Sequence, residues 1–307
     1  VSEKMTIADE ELAEQGTAVG RIRAPSRLRV VVGRFLRSVQ GRIGAALLAL
    51  MFLLAFVGPY LGRWSYTDKD FMAFLQPPSA KHWWGTLQTG ADVYAVTLRG
   101  MQKSLVVGLL AAVVGTTLAA VVGAFAGYFM GWADRTLTWV TDLMLVLPAF
   151  LILAIMSPLF AEGQWVLFVF VLALFLWMVT SKIVRSMTIS LKEREFIQAA
   201  RFMGVPPATI IFRHVIPNMS SLLAVDATLN VSAAILTETS LSYFGFGIQP
   251  PDVSLGSLIA DGAKTAVYAP WTFWFCAGLL IVTVFAVNLV GDSLRDAFDP
   301  TAKRGGR

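Results

Sequence analysis

Ser104-Leu105-Val106-Val107-Gly108-Leu109-Leu110-Ala111-Ala112-Val113-Val114-Gly115-Thr116-Thr117-Leu118-Ala119-Ala120-Val121-Val122-Gly123-Ala124-Phe125-Ala126-Gly127-Tyr128-Phe129-Met130 runs for 27 positions without a charged side chain. About 20 apolar residues in a helix cross the roughly 30 Å hydrocarbon core of a bilayer. The stretch does not alternate apolar with polar, as a barrel strand would, so a helix is the structure that satisfies its backbone in lipid. Working outward, comparable runs lie at 43–61, 137–160, 164–187, 222–243 and 271–293. The expectation is an all-α integral membrane protein with six transmembrane helices. Composition agrees: of 307 residues, 56% are apolar and 15% charged, against about 25% charged in soluble domains.

Lys and Arg set the orientation, because they accumulate on the cytoplasmic side. With the N-terminus inside, the inner segments hold 19 basic residues and the outer segments 6, so both termini are predicted to be cytoplasmic. The chain then divides into a cytoplasmic tail and basic surface helix (1–42), a first transmembrane helix with its outer loop (43–103), a core (104–293) with an inside loop at 188–221, and a cytoplasmic tail (294–307). The tail opens with an acidic patch, Glu10, Glu11 and Glu14, before turning Arg-rich. The net charge of +5 therefore serves topology and the anionic lipid surface rather than nucleic acid. Gly115, Ala119, Gly123 and Gly127 recur every fourth residue on one face of the second span, which predicts close approach of another helix.

The inside loop contains Phe196-Ile197-Gln198-Ala199-Ala200-Arg201-Phe202-Met203-Gly204-Val205-Pro206-Pro207. At 100° per residue, Phe196, Ala199, Ala200 and Met203 share a face, and Gln198 and Arg201 point elsewhere. Gly204 is placed to end this two-turn helix in a left-handed cap, and the prolines stop its continuation. A second short helix can follow from Ala208 to Val215. Helices this short are unstable alone in water. Two placements fit the periodicity: insertion into a groove of another protein, or an amphipathic loop on the lipid surface.

Here the sequence resembles ABC importer permeases, whose cytoplasmic signature reads EAA, three residues, Gly, nine residues, then I-x-L-P. This chain has Gln198-Ala199-Ala200, Gly204 and His214-Val215-Ile216-Pro217 with every spacing kept, Gln198 and His214 replacing the usual Glu and Ile. The run from Thr237 to Pro251 is similar to E-x-x-L-S-F-L-G-L-G-x-x-P-P of the peptide and nickel importer branch. Asn288-Leu289-Val290-Gly291-Asp292-Ser293-Leu294-Arg295-Asp296-Ala297-Phe298-Asp299-Pro300 is similar to the ending of the "C" subunits of oligopeptide and dipeptide permeases. Gly85-Thr86 and Gly90-x-Asp92 resemble GTD and GRD steps of the family, from which Leu87 and Ala91 depart, and Leu255-Gly256 replaces a usual Trp-Gly.

The resemblance implies a type I ABC importer bundle. Phe196, Gln198, Ala199, Ala200, Arg201, Met203 and Gly204 would form the coupling helix that docks into an ATPase subunit. The implied partners are a homologous "B"-type permease, two ATPase domains or subunits carrying ATP and Mg, an external solute-binding protein and a peptide cargo. The implied location is the bacterial inner membrane. Nickel is the alternative cargo, and an ion-coupled secondary transporter the alternative mechanism.

No GxxxxGK[ST] phosphate loop is present; the nearest string, Gly100-Met101-Gln102-Lys103-Ser104, has the wrong spacing. No catalytic residue, cofactor or metal-ligand set is expected on this chain, whose two histidines, His82 and His214, are far apart. Within the spans, Asp142, Asp226, Asn230 and Glu238 need protein or water partners. Asp226 and Asn230, one turn apart, either line a translocation path or bond across helices. Glu238 either meets the positive N-terminus of a peptide or bonds between helices. Asp142 is expected to bond between helices, Lys182 and Arg185 to snorkel to the surface, and Arg295, Asp296 and Asp299 to form structural salt links.

Overall fold

The computed structural model describes residues 27–160 and 163–298, whose regular elements are all helices. The acidic patch at Glu10, Glu11 and Glu14, and Asp299 with the tail after it, lie outside the described residues. In chain order the helices are α1 (Arg27–Arg37), α2 (Val39–Phe56), α3 (Val93–Phe129), α4 (Gly131–Val146), α5 (Ala149–Ile155), α6 (Trp165–Lys192), α7 (Glu195–Phe202), α8 (Pro207–Ile210), α9 (Ile216–Asn218), α10 (Ser220–Tyr243), α11 (Leu255–Thr265) and α12 (Trp271–Phe298). A π-helical turn, Ile211–Val215, joins α8 to α9.

Five of these, α2, α3, α6, α10 and α12, are long and apolar enough to cross a membrane. The sixth expected span, 137–160, is instead the pair α4 and α5, bent by 80°. The cause is local. A residue before proline is driven out of the helical region, and proline has no N–H to continue the ladder. Leu147 is accordingly extended at φ −71° and ψ 130°, and Pro148 opens α5.

The long helix α3 begins eleven residues before the expected span. The Asp92 carboxylate caps it by accepting the Ala95 N–H at 3.0 Å, an arrangement that satisfies one of the four free donors at a helix start. Its 37 residues extend about 55 Å at 1.5 Å per residue. Residues 93–103 thus belong to this helix and not to the outer loop.

The glycine ladder on α3 faces α6. A Cβ at Gly127 would lie 2.6 Å from the Arg185 carbonyl oxygen, and one at Gly123 would collide with the Ser181 carbonyl oxygen. Backbone-to-backbone approach of this kind is available only where the side chain is a hydrogen atom, and it supplies the dispersion contact that holds helices together in lipid. The Arg-bearing helix α1 turns into α2 at Ser38, whose Oγ accepts the Gly41 N–H at 2.9 Å. Arg34 Nη1 ties α1 to the end of α12 by donating to the Ala297 carbonyl at 3.3 Å.

Candidate coupling and translocation sites

Helix α7 starts with Glu195, an acid in the first turn that favours the positive end of the helix dipole. It ends in a Schellman motif: Val205 N–H donates to the Ala200 carbonyl at 3.1 Å and Gly204 N–H to the Arg201 carbonyl at 3.0 Å. Gly204 sits at φ +76°, a conformation cheap for glycine and costly for any residue with a Cβ. Proline at position 207 then opens α8, where a missing N–H costs nothing. The cap expected at Gly204 is therefore present.

The face expected on α7 needs correction. Ala200 turns inward together with Ile197, both buried in a cluster with Ala124, Val184, Ile210, Ile211 and Val215. Ala199 stays exposed. The outward apolar side chains are Phe196 (45% exposed), Met203 (75%) and Phe202 (90%). The anchor is the i, i+3 pair Ile197 and Ala200, which fits the bundle; that pairing rotates Phe202 outward. Gln198 is half-buried, its Nε2 donating to the Glu193 carbonyl at 3.3 Å, and Arg201 is exposed.

The membrane carboxylates separate into distinct environments. Asp226 accepts hydrogen bonds from Thr116 of α3 at 2.8 Å, Thr180 of α6 at 2.5 Å and Asn230 of its own helix at 2.8 Å. Asn230 Nδ2 also reaches Thr116 Oγ1 at 3.2 Å. Both residues bond across helices and remain half-exposed. Glu238 is fully buried. Ser104 donates to it at 3.0 Å and Ser242 at 2.7 Å, while Ser104 Oγ accepts the Leu255 N–H at 3.2 Å. That network stitches α3, α10 and the start of α11 together. Glu238 is thus sealed from the surface in this structure and bonded between helices.

Lys182 and Arg185 are both paired with carboxylates of α4. Arg185 makes a two-pronged contact with Asp134, Nη2 to Oδ2 at 2.6 Å and Nε to Oδ1, and Lys182 pairs with Asp142. Asp134 and Asp142, eight residues apart on α4, both reach α6 through these pairs. Pairing relieves the cost of an isolated charge near lipid. Arg295 and Asp296 are exposed and make no ion pair among the described residues, while Asp299, the third member of the expected salt links, lies outside them.

A polar cluster in the 62–103 segment escaped the sequence reading. His82 is buried, with Nδ1 2.8 Å from Asp92 Oδ2 and Nε2 3.5 Å from Asp70 Oδ2, and its ring stacks on Trp64. Lys81 pairs with Asp70, whose second oxygen accepts the Met72 N–H at 3.0 Å. These two contacts, the lysine first, hold the Asp70 carboxyl down at about 2. The bonded side-chain pairs of this cluster lie 10 to 12 positions apart, with no periodicity to reveal them. Two larger cavities occur: one of about 620 Å³ between the end of α10 and α11, and one of about 350 Å³ beside α7.

A protein-family profile described as the inner membrane component of binding-protein-dependent transport systems matches residues 119–304. The chain belongs to that family. It is a multi-pass permease subunit of a bacterial inner membrane, and its α4 to α12 lie wholly inside the matched region. A second profile, the N-terminal transmembrane domain of oligopeptide transport permease C, matches residues 26–78, which span α1, α2 and part of the segment after them. The permease is 54% identical over 279 residues to the oligopeptide transport system permease protein OppC of Mycobacterium tuberculosis strain H37Rv, covering 91% of this chain and 96% of that one. It is 31% identical over 273 residues to the OppC protein of Bacillus subtilis, covering 88% of each.

Proposed function

We propose that this permease forms half of the translocation pathway of an ATP-driven peptide importer. Its other half would be a homologous permease, with two ATPase subunits on the side of α7 and an external solute-binding protein opposite. The oligopeptide names of the relatives support the cargo. ATP and Mg would bind on the ATPase subunits, in keeping with the missing phosphate loop.

The observation that carries the mechanical part is α7 itself: a two-turn helix, clamped from behind by Ile197 and Ala200, that holds Phe196, Phe202 and Met203 outward in a segment outside the spans. Apolar side chains displayed on a rigid base suit a groove in another protein, in the helix-in-groove manner. ATPase closure would then move α7 and α8 as one lever and rotate the spans between inward- and outward-facing states. Asp226 and Asn230, bonded yet half-exposed, are the residues proposed to border the path. In this orientation the termini and the 188–221 loop are cytoplasmic.

The test is Gly204→Asp. A Cβ at φ +76° strains the cap, and a carboxylate is placed beside the outward face. Peptide uptake by proteoliposomes holding the whole importer should be lost, with the variant still inserted and assembled. Normal uptake with unchanged ATPase stimulation would refute the lever.

A further inference from the structure

The cavity of about 350 Å³ beside α7 is bounded by Tyr128 and Phe129 at the end of α3, Lys192 at the end of α6, Arg201 on α7, and Val205 and Pro207 in the turn that follows. Its lining holds two cations and no carboxylate. Lys192 is half-buried; its ammonium stands 5.8 Å over the Tyr128 ring and 3.5 Å from Met130 Sδ. These are weak, uncharged neighbours. Neither Lys192 nor Arg201 makes an ion pair among the described residues, although Lys182 and Arg185 on the same helix end are both paired. Glu193 and Glu195 are close in sequence and exposed, yet they do not line the cavity. The fold thus supplies an anion to two cations of this region and withholds one from the two that face the docking surface.

We infer that this notch is the receptor for a carboxylate side chain of the ATPase subunit, received between Lys192 and Arg201 as Phe202 and Met203 enter an apolar cleft. The inference rests on the reading that α7 docks against that subunit. An arginine fork binds carboxylate with two parallel hydrogen bonds, and the aromatic floor of Tyr128 and Phe129 keeps water from one side, which strengthens the attraction. Charge complementarity of this kind selects the partner and fixes its register more than it adds raw affinity. Lys192 ends a transmembrane helix, so a carboxylate held there connects the ATPase directly to α6 as well as to α7.

The experiment uses the complete importer in nanodiscs of either neutral phosphatidylcholine or a phosphatidylglycerol mixture. Lys192→Gln with Arg201→Gln should lower permease-stimulated ATP hydrolysis about tenfold or more and flatten the salt dependence of ATPase retention. The charge-preserving variant Lys192→Arg, which leaves the Arg201 fork in place, should keep both, which separates lost charge from lost folding. Phe202→Ser serves as the control for docking itself. If Phe202→Ser uncouples the complex but the glutamine pair behaves as wild type, the notch is overturned and docking stands. If neither has an effect, the docking reading falls and takes the notch with it. A defect of the glutamine pair seen only with phosphatidylglycerol would assign the notch to a lipid phosphate and overturn its role as an ATPase receptor.

Discussion

The α3–α6 seam and the α7 turn, both shaped by uncharged residues at helical spacing, end in opposite states. Along the seam, Gly115, Gly123 and Gly127 bring two helices of this chain into close contact. At the turn, Ile197 and Ala200 are spent on the bundle, while Phe202 and Met203 are left outward, outside any span. One region is finished by its own chain; the other leaves Phe202 and Met203 exposed, which is the state the proposed docking requires. Exposed apolar side chains on the spans have lipid to face, whereas Phe202 and Met203 lie off the spans, on a capped turn anchored from behind by Ile197 and Ala200.

That contrast can be broken at either end. The largest effect is expected from Gly123→Leu, where the added side chain meets the Ser181 carbonyl and Val184. Overpacking against backbone should cost about 3 kcal/mol or more, read as loss of assembled permease on size exclusion and of membrane-inserted protein; wild-type yield would show that the seam can give way. Phe202→Ser should leave assembly untouched and reduce ATPase coupling by an amount equivalent to about 2 kcal/mol, the scale of an interface hot spot, measured as stimulated hydrolysis. A fall in the assembled yield instead would mean that Phe202 belongs to the bundle.

The smallest effect lies in the Asp70 cluster, a region also finished by its own chain. The carboxyl is held at about 2 against an ordinary 3.8. A folded value below the unfolded one means the stabilisation is complete above about pH 4 and disappears as the pH falls through 2. Trp64, stacked on His82, should report this as a fluorescence step near pH 2 that Asp70→Asn lacks. An identical step in the variant would show that another group governs the segment.

Much of the bundle was legible in local patterns. Long apolar runs mark helices because lipid leaves the backbone no other way to bond, and a four-residue spacing of small residues marks a seam because it is the repeat of one helix face. Gly204 was legible for a similar reason: a left-handed cap needs a residue without Cβ. The break at Leu147-Pro148 had a signal too, the proline, outweighed in a hydropathy reading by the apolar residues on both sides. The early start of α3 was marked by Asp92, a capping residue, but nothing local tells a cap from a loop aspartate.

The candidate site was legible only in part. Spacing placed Phe196, Ala200 and Met203 on a common face, but it could not say which way the helix is rolled, because that depends on what Ile197 meets behind it. Asp226 and Glu238 read alike, as acids in apolar helices. Their difference comes from Thr116 and Thr180 around one and Ser104 and Ser242 around the other, partners that lie on separate helices or a full turn away.

The sequence by itself determined that the chain crosses a membrane, with five of the helices long and apolar enough to do so, and where a short capped helix interrupts them, since each follows from periodicity and backbone chemistry within a few turns. Tertiary structure alone decided which carboxylate is sealed, which cations are paired, and which side of α7 is left outward. Those outcomes depend on contacts between helices distant in sequence, where desolvation penalises every polar group without a partner and the packing of neighbours determines who that partner is.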